Sequence, residues 1–243
     1  MIRLILAGIA IFFFLIFCII LIPIEWIIGK FSPAAVDKSR LKIVQGFLRI
    51  LLFICGTRMT VIGRDRIPKD TAVLYAINHR SMFDILVTLT WWPTVTGYVS
   101  KKEYEKVPLL SWWIRWLHGL FLDRENLRQG LKVILAAIEN VKSGISMAIF
   151  PEGTRNRGSD EGELLPFHEG SFKIATKAGC PIVPVALCHT SQAFEDHIPW
   201  LKATHVILEY GEPIYPSKLT REEKKFIGKK VRQIVAEMIA KNR

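Results

Sequence analysis

The chain has 243 residues, half of them hydrophobic, and carries a formal net charge of +11. That length buries one substantial core with a small module beside it, and two full domains would be crowded. Positive mean hydropathy in so charged a chain points to a membrane-attached segment, and no helix-turn-helix, zinc-finger or ribonucleoprotein-type aromatic motif argues for nucleic acid as a partner.

Leu4 to Ile22 is almost unbroken apolar sequence, closed by Pro23. As a helix it would reach about 29 Å, the thickness of a bilayer core. No small-x-small site follows it closely, which disfavours a cleaved signal peptide. Arg3 precedes the run, while Lys30, Lys38, Arg40 and Lys42 follow it. That excess places the rest of the chain on the cytoplasmic face of the cell membrane. Ile43 to Cys55 is too short to span. Lys42, Gln45, Gly46 and Arg49 recur at three- and four-residue spacing, as in a helix lying in the interface with one polar face. Residues 1–57 therefore read as a helical hairpin that anchors an α/β domain over 58–243. Basic clusters at Lys30–Arg49 and Arg221–Arg243, netting +4 and +5, suit an anionic membrane surface or an acidic protein donor.

From Thr60 onward short apolar runs alternate with longer amphipathic ones. Strands are expected near Thr60–Ile62, Ala72–Ile77, Thr94–Val99, Gly119–Leu122, Ile145–Phe150, Ile182–Leu187 and His205–Tyr210. Helices are expected near Phe83–Trp92, Leu109–Leu117, Asn126–Lys142, Gly170–Ala178 and Arg221–Ala240. This alternation predicts a mostly parallel, mixed sheet flanked by helices. Pro181 and Pro184 suggest that the sixth strand is an edge or carries a bulge. Cys18, Cys55, Cys180 and Cys188 form no Cys-x-x-Cys pair and read as buried thiols in a reducing compartment.

Chemistry concentrates where strands end. Asn78-His-Arg-Ser-Met-Phe-Asp84 follows the second strand. Five residues apart on a regular helix, His79 and Asp84 would point about 140° apart, so a bond between them needs a bend. Ser81 as a helix N-cap would supply it. The carboxylate would then hold one ring nitrogen and leave the other free to take a proton from a bound alcohol. A capping box, Ser81-x-x-Asp84, is the plainer alternative. After the fifth strand, Gly153 lets the backbone of Glu152-Gly-Thr-Arg155 pass close to a ligand, Thr154 offers a hydroxyl, and Arg155 offers a planar fork for a phosphate. Lys101 follows the third strand and Arg124 the fourth, and both could reach the same crevice. Trp91, Trp92, Trp112, Trp113 and Trp116 suit either the lipid boundary, an acyl-chain tunnel or the core. No Gly-x-Ser-x-Gly elbow, phosphate-binding Gly-x4-Gly-Lys loop or His-Glu-x-x-His zinc pair is present.

Asn78-His79-x4-Asp84 and Phe150-Pro-Glu-Gly-Thr-Arg155 resemble the first and third motifs of the glycerolipid acyltransferases that acylate 1-acylglycerol-3-phosphate. The other two blocks also occur in order, so the resemblance covers roughly residues 60 to 215. It implies transfer of a fatty acyl group from coenzyme A or acyl carrier protein to the 2-hydroxyl of lysophosphatidic acid, with no metal and no other cofactor. His79 would be the general base and Asp84 would fix its tautomer. Arg155, Arg124 and Lys101 would hold the acceptor phosphate, with Glu152 positioning the Thr154–Arg155 turn or the glycerol. Backbone amides near Asn78 to Ser81 would serve the oxyanion. The resemblance also implies a two-helix anchor immersed in one leaflet, while the sequence itself leaves immersion and spanning both open. His168 departs from the family pattern and receives no role. Another lysophospholipid or glycerol 3-phosphate as acceptor, and a non-catalytic lipid-binding protein, stay open, as does the oligomeric state.

Overall fold

The computed structural model describes residues 1–243, the side chain of Leu127 excepted. Two helices come first, α1 (Ile2–Gly29) and α2 (Pro33–Cys55), joined by a tight turn. The first is 28 residues long, about 42 Å of helix, and is long and apolar enough to cross a membrane. Most of its large side chains are exposed, Phe12, Phe13 and Trp26 among them.

The helix does not stop at Pro23, which lies within it. An interior proline costs about 3 kcal/mol. The turn beyond it is held from α2, where buried Glu25 accepts a hydrogen bond from Ser39 Oγ at 2.8 Å and faces Arg40 Nε at 3.7 Å. These contacts also explain why α2 starts ten residues before the expected Ile43. Pro33 occupies the first turn, where its missing N–H is no loss. The polar residues that interrupt the apolar pattern are used across the hairpin and beyond it, Asp37 meeting His118 Nε2 at 2.8 Å.

A seven-stranded sheet follows. Its strands are β1 (Thr57–Ile62), β2 (Leu74–Ile77), β3 (Thr96–Lys101), β4 (Leu120–Leu122), β5 (Ser146–Ile149), β6 (Ile182–Cys188) and β7 (Thr204–Tyr210). The order across the sheet is β1-β7-β6-β2-β5-β3-β4, parallel at every pairing except β6 with β7. The helices are α3 (Phe83–Trp91), α4 (Leu110–Trp116), α5 (Leu127–Lys142), α6 (Lys173–Ala178), α7 (Arg221–Lys225) and α8 (Ile227–Asn242).

Strand alternation divides the core. Val73, Tyr75 and Ile77 pack with residues of α2, α3 and α4 on one face, whereas Leu74 and Ala76 pack with α5, α6 and α8 on the other. Trp113 of α4 joins the hairpin to the first face, donating to Cys18 Sγ at 3.1 Å and stacking on Phe14. It and Trp92 are core residues, while Trp112 is exposed. All four cysteines are buried and free, and burial raises the Cys180 and Cys188 thiols to about 11 and about 12.

Three further expectations change. The sixth strand is central, not an edge. Pro184 O accepts from Gly211 N at 2.8 Å. A strand residue's N–H and C=O face the same neighbour, so the proline's missing donor falls beside Gly211, just past the end of β7, and the pairing to β2 stays intact. The helix expected from Gly170 begins as a 3₁₀ turn, Glu169–Phe172. Finally, the expected Arg221–Ala240 helix breaks at Phe226. Thr220 and Glu223 close a capping box on α7, while the Glu169 carboxylate accepts the amides of Gly228 and Lys229 and starts α8 afresh.

Candidate active site

The carboxyl ends of β2 and β5, hydrogen-bonded neighbours in the sheet, carry the two motif loops. At the end of β2 the Asn78 side chain replaces a peptide. Its Nδ2 donates to Leu187 O at 2.9 Å and its Oδ1 accepts from Leu187 N at 2.8 Å. The backbone can therefore leave β6 without orphaning that strand's polar groups, and the next residue, His79, enters the crevice.

The bend between His79 and Asp84 is made by the carboxylate itself. Asp84 is fully buried, and its Oδ2 accepts from His79 Nδ1 at 2.7 Å, Arg80 N at 2.7 Å and Ser81 N at 2.8 Å. Ser81 is not the N-cap, a position taken by Met82. Its hydroxyl instead accepts from Phe83 N at 2.9 Å and donates to Glu195 Oε2 at 2.5 Å. The arrangement unites the two sequence alternatives, since Asp84 caps a backbone amide and orients the imidazole together. Phe150 stacks on the imidazole at 4.0 Å between ring centres, which leaves Nε2 at the edge of an aromatic pair.

Glu152 ties the two loops. It is buried, its Oε1 accepts from His79 N at 2.7 Å and its Oε2 from Leu165 N at 2.9 Å. Burial pushes its carboxyl up from the ordinary value, against the pull of those two amides. Asn156 N donates back to His79 O at 2.7 Å. Gly153 has φ +71°, a left-handed conformation that favours glycine, and an added Cβ would stand 3.0 Å from His168 Nε2. His168 thus packs against the turn.

Arg155 is half-buried and its Nη1 meets Glu195 Oε1 at 3.3 Å. Thr154 is exposed beside it. Arg155, Arg157 and Arg80 line a cavity of about 400 Å³ together with Ser191, Glu195 and Asp196. Arg80 and Glu195 were not legible as site residues. Arg80 is buried, donates to Gly158 O and Asp160 O, and so props the loop beyond Arg155.

Lys101 and Arg124 lie on the same edge of the sheet but farther along it. β3 stands two places from β2 and β4 three, roughly 10 and 14 Å at about 4.8 Å per strand. Lys101 Nζ pairs with Glu103 at 2.7 Å, and Arg124 is exposed. Neither joins the cluster around His79. Three of the expected oxyanion donors are also taken, because the amides of His79, Arg80 and Ser81 go to Glu152 and Asp84.

A buried carboxylate orienting an imidazole beside an arginine-lined cavity can take a proton from an alcohol whose anionic substituent binds nearby. The chain as a whole is similar to proteins of known name. The chain is 29% identical over 196 residues to a Borreliella burgdorferi protein named 1-acyl-sn-glycerol-3-phosphate acyltransferase, covering 80% of this chain and 77% of that one. It is also 29% identical to the Saccharomyces cerevisiae protein of that name, covering 76% and 61%, and 33% identical to the Salmonella typhimurium one, covering 69% and 66%. The crystal structure of the 1-acyl-sn-glycerophosphate (LPA) acyltransferase PlsC from Thermotoga maritima superposes with a TM-score of 0.79 at 27% identity, over 98% of this chain and 95% of that one. A sequence model described as Acyltransferase matches residues 58–188, more than half of the chain and the span that holds both motif loops. The chain belongs to the acyltransferase family.

Proposed function

We propose that this acyltransferase moves a fatty acyl group from a thioester to the sn-2 hydroxyl of 1-acylglycerol-3-phosphate and so forms phosphatidic acid. His79 Nε2 takes the hydroxyl proton as the oxygen attacks the thioester carbonyl. The tetrahedral adduct then collapses, the carbon–sulfur bond breaks, and the departing thiolate regains that proton from the imidazolium. Asp84 keeps the proton of the neutral ring on Nδ1 and stabilises the imidazolium while it lasts. Arg155 holds the acceptor phosphate, with Arg124 and Lys101 farther out along the same edge. Glu152, whose two oxygens are engaged by backbone amides, positions the Gly153-Thr154-Arg155 turn instead of touching glycerol. The reaction so written needs no metal and no cofactor beyond the donor's own carrier, coenzyme A or acyl carrier protein.

The observation that carries this reading is the 2.7 Å contact of His79 Nδ1 with a carboxylate oxygen already fixed by two backbone amides. The bare apolar surface of α1 supports delivery of the acceptor from a bilayer, and the basic residues after it favour the cytoplasmic face for the remainder, residues 58–243. The test is turnover of lysophosphatidic acid with each donor by the purified chain and by His79→Ala. Phosphatidic acid formed at equal rates by both proteins would end the proposal, whereas loss in the variant with retained lipid binding supports it.

A further inference from the structure

Glu195 lies on the loop between β6 and β7, outside both motif loops, yet it touches each of them. Its Oε2 accepts from Ser81 Oγ at 2.5 Å, and its Oε1 accepts from Met82 N at 2.7 Å and from Arg155 Nη1 at 3.3 Å. Ser81 and Met82 lead into α3, the helix whose first turn holds Asp84. A carboxylate there is favourable in itself, because the helix start presents unpaired amides and the positive end of its dipole. A simple cap, however, has no need of Arg155. The longer contact shows which partner is held more loosely. The carboxylate is anchored at the base turn by two short bonds, and the guanidinium leans on it through one nitrogen, leaving its other N–H groups for a ligand. The side chain of Glu195 is 19% exposed, at the wall of the cavity that Arg155 also lines.

We propose that Glu195 is a positioning residue that couples the base turn to the phosphate-binding arginine. Seated phosphate and seated imidazole then share one support, and an acceptor correctly held at Arg155 meets a base whose turn is held by the same carboxylate. The inference rests on the assignment of the acceptor phosphate to Arg155. It divides Glu195 into two separable parts. Its oxygens staple Ser81 and Met82, and its charge aims Arg155. Glutamine keeps an oxygen for Met82 N and an amide that can meet the Ser81 hydroxyl, but it removes the charge.

The experiment measures kcat and KM for lysophosphatidic acid in Glu195→Ala, Glu195→Gln, Arg155→Ala and the Glu195→Ala/Arg155→Ala double variant. Glu195→Ala is expected to raise KM at least about fivefold and to lower kcat at least about tenfold, and in the Arg155→Ala background to leave KM within about twofold, as coupled neighbours do. Glu195→Gln is expected to restore kcat while keeping the raised KM, a split that general loosening of the loop would not give. Equal effects of Glu195→Ala on KM in both backgrounds would overturn the coupling, and so would a Gln variant no better than Ala in kcat. An unchanged KM in Arg155→Ala alone would locate the failure in the phosphate assignment and take the coupling down with it.

Discussion

Replacing Asp84 by asparagine separates the geometry of the dyad from its charge. Asp84 Oδ2 receives three donors, two of them backbone amides, whereas Oδ1 is buried without a hydrogen-bond partner among the described residues. An asparagine must place its oxygen in the three-donor position, because an NH2 there would face two N–H groups. The imidazole therefore still donates from Nδ1, and its free nitrogen stays correctly placed. In the serine proteases the same substitution selects the wrong tautomer and costs about 10⁴ in kcat. Here the amides of Arg80 and Ser81 prevent that outcome. What remains is the attraction between the carboxylate and the transient imidazolium, about 4 kcal/mol for charges roughly 4 Å apart at an effective dielectric near 20. At about 1.4 kcal/mol per factor of ten, kcat should fall roughly 10³-fold, with KM for the acceptor nearly unchanged. The new NH2 occupies a slot without an acceptor, which costs about 1–3 kcal/mol of stability, so initial rates must be read well below the variant's thermal midpoint. A decrease under about tenfold would mean the charge is not used. A loss as complete as that of His79→Ala would mean the amides fail to orient the replacement.

Two other substitutions follow from the same loops. Glu152 has its carboxyl raised by burial, so the folded state keeps a proton that the unfolded chain has already lost. Its contribution is full below the ordinary value of 4.5 and declines as pH rises through the raised one. Glu152→Gln should remove that decline from the stability profile as pH rises above the ordinary value of 4.5, read as urea midpoints, and an unchanged slope would refute it. At low pH the variant should be about 1–3 kcal/mol less stable, since one of the two amides that Glu152 accepts would face an NH2, and the gap should narrow as pH rises. Gly153→Ala combines a left-handed φ with crowding against His168, and should cost about 1–2 kcal/mol for the backbone conformation alone. Adding His168→Ala should relieve only the crowding, so full recovery of the thermal midpoint in the double variant would show that φ carries no strain.

The parts of the site legible in the sequence are those whose signal is local. His79 and Asp84 stand five residues apart, and each motif loop follows a compact apolar run, so the sheet edge could be placed without long-range information. Glu195 could not be found that way, for its bond to Ser81 joins residues 114 positions apart and nothing around it forms a pattern. Arg80 was hidden differently, standing inside a recognised motif while its partners lie on a loop near residue 160. The hairpin shows a third kind of failure. Its early turns in α2 are polar because they bond to α1 and to His118, and a reading based on hydrophobic period takes such residues for a gap.

The polar stripe of α2 shows what the hairpin contributes to the site. Gln45 was expected on a face turned to the headgroups, yet its Nε2 donates to Leu89 O at 3.1 Å and to Trp92 O at 2.9 Å, satisfying carbonyls at the end of α3. The same α3 begins at Phe83 and holds Asp84 in its first turn. One nine-residue helix, about 13 Å long, thus runs from the hairpin to the carboxylate that orients His79. A helix of that length bends little, and Thr88 and Trp92 fix its far half through Tyr98. The distance between the apolar hairpin and the imidazole is therefore set by a short helix and the hydrogen bonds at its two ends, not by a flexible linker. Under the proposed delivery of the acceptor from a bilayer, that fixed distance sets the height at which its hydroxyl meets the base, and one rigid crevice serves every turnover.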